Sequence, residues 1–252
     1  MMQAALVRRT MTRVLATTLA LVILAAIALA AEDFATERRL MVEETETLAA
    51  STAAETGRTS LDLRVLEAMA KVPRHEFVQR EEASAAYKNR PLPIGHGQTI
   101  SQPFIVALMT DLLRTKPTDS VLEVGTGSGY QAAVLSLLAR EVYTIEIIDE
   151  LGKEAADRLT RLGYANVRTK IGDGYQGWAE HAPFDAIIVT AALEHIPPPL
   201  IEQLKVGGKL IMPLGYANQT QGLAVVEKLP SGKTDARIVT LVRFVPFVRP
   251  PN

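Results

Sequence analysis

In the stretch Ile94 to Pro103, IGHGQTISQP, His96 precedes Ser101 by five residues in a segment that also carries Gly95 and Gly97. Two chemistries fit a serine and a histidine so placed. In a hydrolase His96 would take the proton of Ser101 as the hydroxyl attacks a carbonyl, with an acid to orient the imidazole. Alternatively the hydroxyl serves as a hydrogen-bond donor that holds another group in place. The first reading lacks a G-x-S-x-G elbow, and Ser101 is expected to precede a helix with no strand before it. Ser101 also suits the N-cap of the helix opened by Gln102 and Pro103, a role compatible with positioning. His96 itself reads as a loop histidine bonded to backbone. His75, His181 and His195 share no metal-ligand spacing, and cysteine is absent, so no metal, thiolate or disulfide chemistry is expected.

A second set of residues points to a nucleotide-like ligand. Val121 to Tyr130, VLEVGTGSGY, runs from an apolar strand into a helix through Gly125, Gly127 and Gly129. Glycines there let the chain turn sharply and approach a ligand at the carboxyl end of a sheet. The G-x-G-x-G spacing departs from the G-x-G-x-x-G of dinucleotide enzymes and favours S-adenosylmethionine, against the plainer reading of a tight structural turn. Glu146 closes the next strand, where a carboxylate accepts hydrogen bonds from two ribose hydroxyls. Asp173, followed by Gly174, closes the third and is placed to face an adenine amino group. Each acid alone reads more often as a helix cap or a solvated strand end; the three features in order, each at a strand's carboxyl end, reverse that balance.

The elements that must hold these residues follow from the hydrophobic pattern. LDLRVLEAMAKV has helical spacing and ends at Pro73. From Ser120 onward short strands (SVLEV, EVYTIEI, VRTKI, FDAIIVT, GKLIMPL) alternate with helices (YQAAVLSLLA, IDELGKEAADRLTRL, LIEQL). That alternation predicts an α/β fold: a Rossmann-like, doubly wound, mostly parallel sheet covered on both faces. GLAVVEKL and ARIVTLVRFVPFV, joined at Ser231-Gly232-Lys233, predict a C-terminal antiparallel hairpin on one edge.

The chain has 252 residues, a formal net charge of -1 and 48% hydrophobic residues. That balance fits one sizeable catalytic or binding domain and no nucleic-acid partner. The N-terminal segment 1–31 obeys another rule. Arg8, Arg9 and Arg13 precede an uncharged run from Val14 to Ala30 that ends in Ala28-Leu29-Ala30. These are the parts of a signal peptide, cleaved after Ala30 or Ala31, or of a membrane anchor if uncleaved. Export to the periplasm or envelope is expected, with the membrane met only through this segment. The segment 32–60 reads as a surface helix or mobile linker, and 61–252 as the functional domain, expected to be monomeric.

VPRHEFV (Val72 to Val78), AYKNRPLPIGHGQTISQPFIVALMTDLL (Ala86 to Leu113), VLEVGTGSGYQAAVLS and VRFVPF (Val242 to Phe247) together closely resemble the protein-L-isoaspartate O-methyltransferase family. The resemblance implies a class I methyltransferase domain that moves a methyl group from S-adenosylmethionine to the free carboxylate of isoaspartyl residues in damaged proteins. It implies Ser101 as the active-site serine, with Ile100, Gln102 and Pro103 around donor and substrate. Gly125, Gly127, Glu146, Asp173 and Gly174 become cofactor-contacting positions. A carboxylate is already ionised near neutral pH, so such a reaction needs no general base, and Ser101 then positions rather than attacks. Two other readings share these residues: a methyltransferase acting on another carboxylate, and a protein that binds isoaspartyl peptides without turnover. Leu193, Glu194 and His195 stand where many relatives carry prolines, and the N-terminal segment departs from a family that is usually cytosolic.

Overall fold

In the computed structural model the described residues are 34–250; the expected leader and its cleavage site lie outside them. Two short strands, β1 (Leu92–Gly95) and β2 (Gln98–Ile100), form an antiparallel hairpin with Leu92 opposite Ile100. The main sheet is built from β3 (Ser120–Val124), β4 (Glu141–Glu146), β5 (Val167–Ile171), β6 (Phe184–Val189), β7 (Leu204–Leu214), β8 (Gln221–Lys228) and β9 (Thr234–Val242). Their order across the sheet is β5-β4-β3-β6-β7-β8-β9. β3 to β7 are parallel where they pair, and β7, β8 and β9 are antiparallel, as the pattern predicts. Chain order reverses direction across the sheet at β3, which has β4 on one side and β6 on the other. That switch point opens a crevice at the strands' carboxyl ends.

Two upstream features add to or differ from expectation. The segment 34–51, read as surface helix or linker, is a helix (α1) that buries Met41, Thr45 and Ala49, a stripe at i, i+4 and i+8, against the domain. The short α2 (Ala53–Thr56) follows it, then α3 (Leu63–Lys71), which Asp62 caps by accepting from the Arg64 amide at 2.9 Å. A strand also does precede Ser101, since β2 ends at Ile100. The hairpin turn places His96 at a φ of 52° and Gly97 at a φ of 71°. Positive φ at both positions gives the twist that suits a tight hairpin.

Burial explains the order of the main sheet. All five residues of β3 are buried, because a central parallel strand is covered on both faces. Its residues and those of its neighbour alternate between two cores: Val121 and Val142 join one face, Leu122 and Tyr143 the other. β5, at the edge, carries Arg168 and Lys170, which discourages pairing with another chain. The apolar α4 (Pro103–Leu113) and α5 (Tyr130–Ser136) are buried almost throughout. α6 (Asp149–Arg161) buries Leu151, Ala155 and Leu159 along one stripe, with acids in its first turn and arginines in its last.

Candidate active site

The glycine loop is held from below by hydroxyls and carboxylates at the ends of β3 and β4. The Gly125 amide donates to the Ile145 carbonyl at 2.8 Å, carrying the chain across the top of β4. Glu146 gathers three backbone amides: Gly127 on Oε2 at 2.8 Å, and Ile147 and Ile148 on Oε1 at 3.0 Å each. Each oxygen keeps acceptor capacity toward the crevice, so the same group can brace the loop and receive hydroxyls from a ligand. Beneath it, Thr126 Oγ1 lies 2.6 Å from Thr144 Oγ1, and Thr144 donates to Glu123 Oε2 at 2.6 Å. Glu123 is fully buried, and its Oε1 has no hydrogen-bond partner among the described residues.

These residues line a cleft bounded on its other sides by the β1–β2 hairpin and by the tail after β9, a space of about 860 Å³ that includes open solvent and has room for a cofactor-sized ligand. Ile94, Ile100 and Ser101 come from the hairpin and its exit; Gly125, Gly127, Glu146, Gly174 and Thr190 from the sheet's carboxyl edge; Val245 to Val248 from the tail. The tail is fixed by backbone pairing, the Ala192 amide to the Val245 carbonyl at 2.9 Å and the Phe247 amide to the Ala192 carbonyl at 3.0 Å. Glycine lets the backbone pack close here: a Cβ on Gly174 would stand 2.4 Å from Val124 Cγ1. The orphaned Glu123 carboxyl and the glycine-walled cradle fit S-adenosylmethionine. Glu146 would receive its ribose, and Glu123 Oε1 is left without a protein partner for a polar group of the ligand.

The sequence-derived residues do not all share one wall. Ile100, Ser101, Gly125, Gly127, Glu146 and Gly174 line the cleft. Gln102 lines a separate open groove, and Pro103 is buried at the first position of α4. Asp173 stands outside the cleft wall. Its Oδ1 accepts from the Tyr175 amide at 3.0 Å, capping a short turn of 3-10 helix, and its Oδ2 meets Arg249 Nη2 at 3.2 Å. Arg249 stacks on Tyr175, its Cζ 4.1 Å from the ring centroid, so the tail is clipped over the residue expected to face adenine.

Ser101 sits where the cleft meets the groove, a space of about 1000 Å³ that includes open solvent. Thr99, Ser101 and Thr190 line both. Ser101 does not cap α4: the N-cap is Gln102, without a side-chain bond, and Asn89 Oδ1 accepts the Phe104 amide at 3.0 Å instead. Its hydroxyl makes no hydrogen bond to other described residues, which leaves it available to a ligand. His96 is exposed in the hairpin turn and lines a different pocket, with no bond to Ser101 and none to backbone among the described residues. His75 bonds Tyr87 through Nδ1 at 2.7 Å, and His195 Nε2 lies 3.0 Å from the Tyr175 hydroxyl. Among the described residues no group of three or more His, Asp or Glu is placed to hold a metal ion.

Glu123 and Thr190 were not singled out from sequence, and the tail entered only as the motif VRFVPF, with no place at the site. The signal for Glu123 was a carboxylate inside the strand SVLEV, where neither face reaches water. Burial pushes its carboxyl up to about 8, with the Thr144 hydrogen bond working the other way and Glu146 adding to the rise. A carboxyl so raised costs nothing below its ordinary value of 4.5 and subtracts stability as pH rises from there to about 8. Glu123→Gln should therefore become more stable relative to the parent by roughly 1 kcal/mol per pH unit across that window. Thermal unfolding at a series of pH values checks this; parallel profiles for the two proteins would contradict it.

The geometry has counterparts in known proteins. The profile of the Protein-L-isoaspartate(D-aspartate) O-methyltransferase (PCMT) family matches residues 51–251. A Cupriavidus necator Protein-L-isoaspartate O-methyltransferase 1 is 57% identical over 93% of this chain and 91% of its own. A solved protein-L-isoaspartate O-methyltransferase superposes with a TM-score of 0.73 at 26% identity, over 83% of this chain and 65% of that one. A Plasmodium falciparum structure described as a protein-L-isoaspartate O-methyltransferase, in complex with S-adenosyl-L-homocysteine, has a TM-score of 0.62 at 27% identity, over 74% of this chain and 91% of that one. With its cleft, its glycine loop and its serine at the cleft's mouth, the chain belongs to the protein-L-isoaspartate(D-aspartate) O-methyltransferase family.

Proposed function

We propose that this protein is an S-adenosylmethionine-dependent carboxyl O-methyltransferase that esterifies the free carboxylate of isoaspartyl residues in damaged proteins, the first step of their repair. The observation that carries the reading is Ser101 at the junction of the cofactor-sized cleft and the adjoining groove. When bound, S-adenosylmethionine supplies an electrophilic methyl group on its sulfonium. The residues of the chain do the rest. Glu146 and the glycine loop fix the ligand's ribose end, and the tail around Phe247 covers the cleft and excludes water. Ser101 donates its free hydroxyl to one oxygen of the acceptor carboxylate and so aims the other into the cleft. The groove, floored by residues such as Ile105 and Phe244, receives the polypeptide on either side.

Ser101→Ala should lower kcat for an isoaspartyl peptide about tenfold or more, the value of one hydrogen bond to a charged group, and leave S-adenosylhomocysteine affinity nearly unchanged. Steady-state kinetics beside calorimetry checks it; full turnover in the variant would remove Ser101 from the reaction.

The location is the second part of the proposal. Arg8, Arg9 and Arg13, the uncharged run to Ala30 and its A-x-A end support export, which would bring the enzyme to envelope proteins. Among the described residues no helix is long and apolar enough to cross a membrane. N-terminal sequencing of protein from fractionated cells tests this. A start at Ala31 or Glu32 in the soluble envelope fraction supports export, an intact Met1 in the membrane fraction supports an anchor, and an intact chain in the cytosol refutes both.

A further inference from the structure

Arg74 is the most deeply buried cation of the described residues, with no exposed surface, and among those residues no salt bridge pairs it with a carboxylate. Its Nε donates to the Ala86 carbonyl and its Nη2 to the Ser101 carbonyl, both at 2.7 Å. Its Cζ lies 4.8 Å from the centre of the Tyr130 ring, which lines the cleft, and neither its Nη1 nor the Tyr130 hydroxyl has a partner among the described residues. A buried, unpaired guanidinium is an expensive way to fill space; a methionine or leucine would fill it without desolvating a charge. Burial draws the Arg74 pKa down to about 10, so the group is still charged at neutral pH. Two carbonyl oxygens accepting from a charged fork are what the arrangement obtains in return.

One of those carbonyls belongs to the residue at the mouth of the cleft. The Ser101 backbone is held on three sides: Ile100 is paired with Leu92 in the hairpin, the Ser101 carbonyl with Arg74, and the Phe104 amide with Asn89. With its backbone fixed, the hydroxyl has few directions left. The only one of the three anchors that acts on Ser101 itself is Arg74.

We propose that Arg74 is a positioning residue for methyl transfer, setting the aim of the Ser101 hydroxyl through the Ser101 carbonyl. The inference rests on the reading that this hydroxyl orients the acceptor carboxylate. Arg74 touches neither donor nor acceptor, so its contribution must disappear when there is no hydroxyl to aim.

The test is a double-mutant cycle on the full chain. Arg74→Lys and Arg74→Met are each made alone and combined with Ser101→Ala, and kcat and KM for an isoaspartyl peptide are measured beside S-adenosylhomocysteine affinity and thermal stability. Alone, each Arg74 variant should lower kcat about tenfold, with cofactor affinity little changed and Arg74→Lys milder than Arg74→Met. In the Ser101→Ala background the same changes should cost less than about twofold more. Equal costs in both backgrounds, or a loss carried by cofactor affinity, would overturn the proposal, as would failure of both Arg74 variants to fold, which would make the role purely structural. Full turnover in Ser101→Ala alone would instead strike the underlying reading of Ser101, a result the cycle reports separately.

Discussion

Replacing Glu146 with Ala is expected to weaken S-adenosylhomocysteine binding about a hundredfold or more, the largest effect of any single side-chain truncation in the cleft. The carboxylate is buried and accepts from the Gly127, Ile147 and Ile148 amides, so its removal strands three backbone donors as well as the ligand's hydroxyls. Each stranded donor costs on the order of 1 to 3 kcal/mol unless water replaces the acceptor. Glu146→Gln should lose less, because the amide oxygen still accepts while its NH2 opposes the Gly127 amide. Calorimetry of both variants checks the order; affinity in Glu146→Ala within about twofold of the parent would mean that the loop holds itself and the ligand without this group.

Gly125→Ala should abolish cofactor binding and destabilise the fold by on the order of 2 to 4 kcal/mol. Gly125 has φ of +96°, and an added Cβ would stand 2.3 Å from Thr190 Oγ1. That hydroxyl cannot step aside cheaply, since it lies 2.6 Å from the Gly125 carbonyl and 3.1 Å from that of Val124. Gly163→Ala is the matched control, with a φ of +82° and nothing within 4 Å of an added Cβ. Only backbone strain of about 1 kcal/mol remains there. Thermal unfolding and S-adenosylhomocysteine titration of the pair separate clash from strain. Equal losses in the two variants would show that the approach to Thr190 is not what demands a glycine.

What the sequence showed and what it hid have physical reasons. The five parallel strands were legible because short β-branched and apolar runs between helical stretches admit few other folds. The β1–β2 hairpin was not, because Pro93, Gly95 and Gly97 make so short a segment read as loop. The packing of α1 was hidden by its composition: the stripe that enters the core is Met41, Thr45 and Ala49, set among glutamates and arginines. At the site, Ser101, Gly125 and Glu146 could be named from motif and strand end. Asn89 as the cap of α4 could not, since its partner Phe104 lies well downstream and a residue nearer in sequence offered a hydroxyl. Asp173 showed its strand-end position but not its commitments to Tyr175 and Arg249, which depend on where the tail returns. Arg74 looked like one basic residue among many until burial set it apart.

The most direct test of the account is transfer of a labelled methyl group from S-adenosylmethionine to two peptides of identical sequence, one with an isoaspartyl linkage and the other with normal aspartate. Ser101 at the cleft's mouth and the groove beside it predict a base-labile methyl ester on the isoaspartyl peptide and background labelling of its twin. Equal labelling of the two would make the protein a methyltransferase of other specificity. No labelling of the isoaspartyl peptide by protein that still binds S-adenosylhomocysteine would contradict the proposed reaction itself.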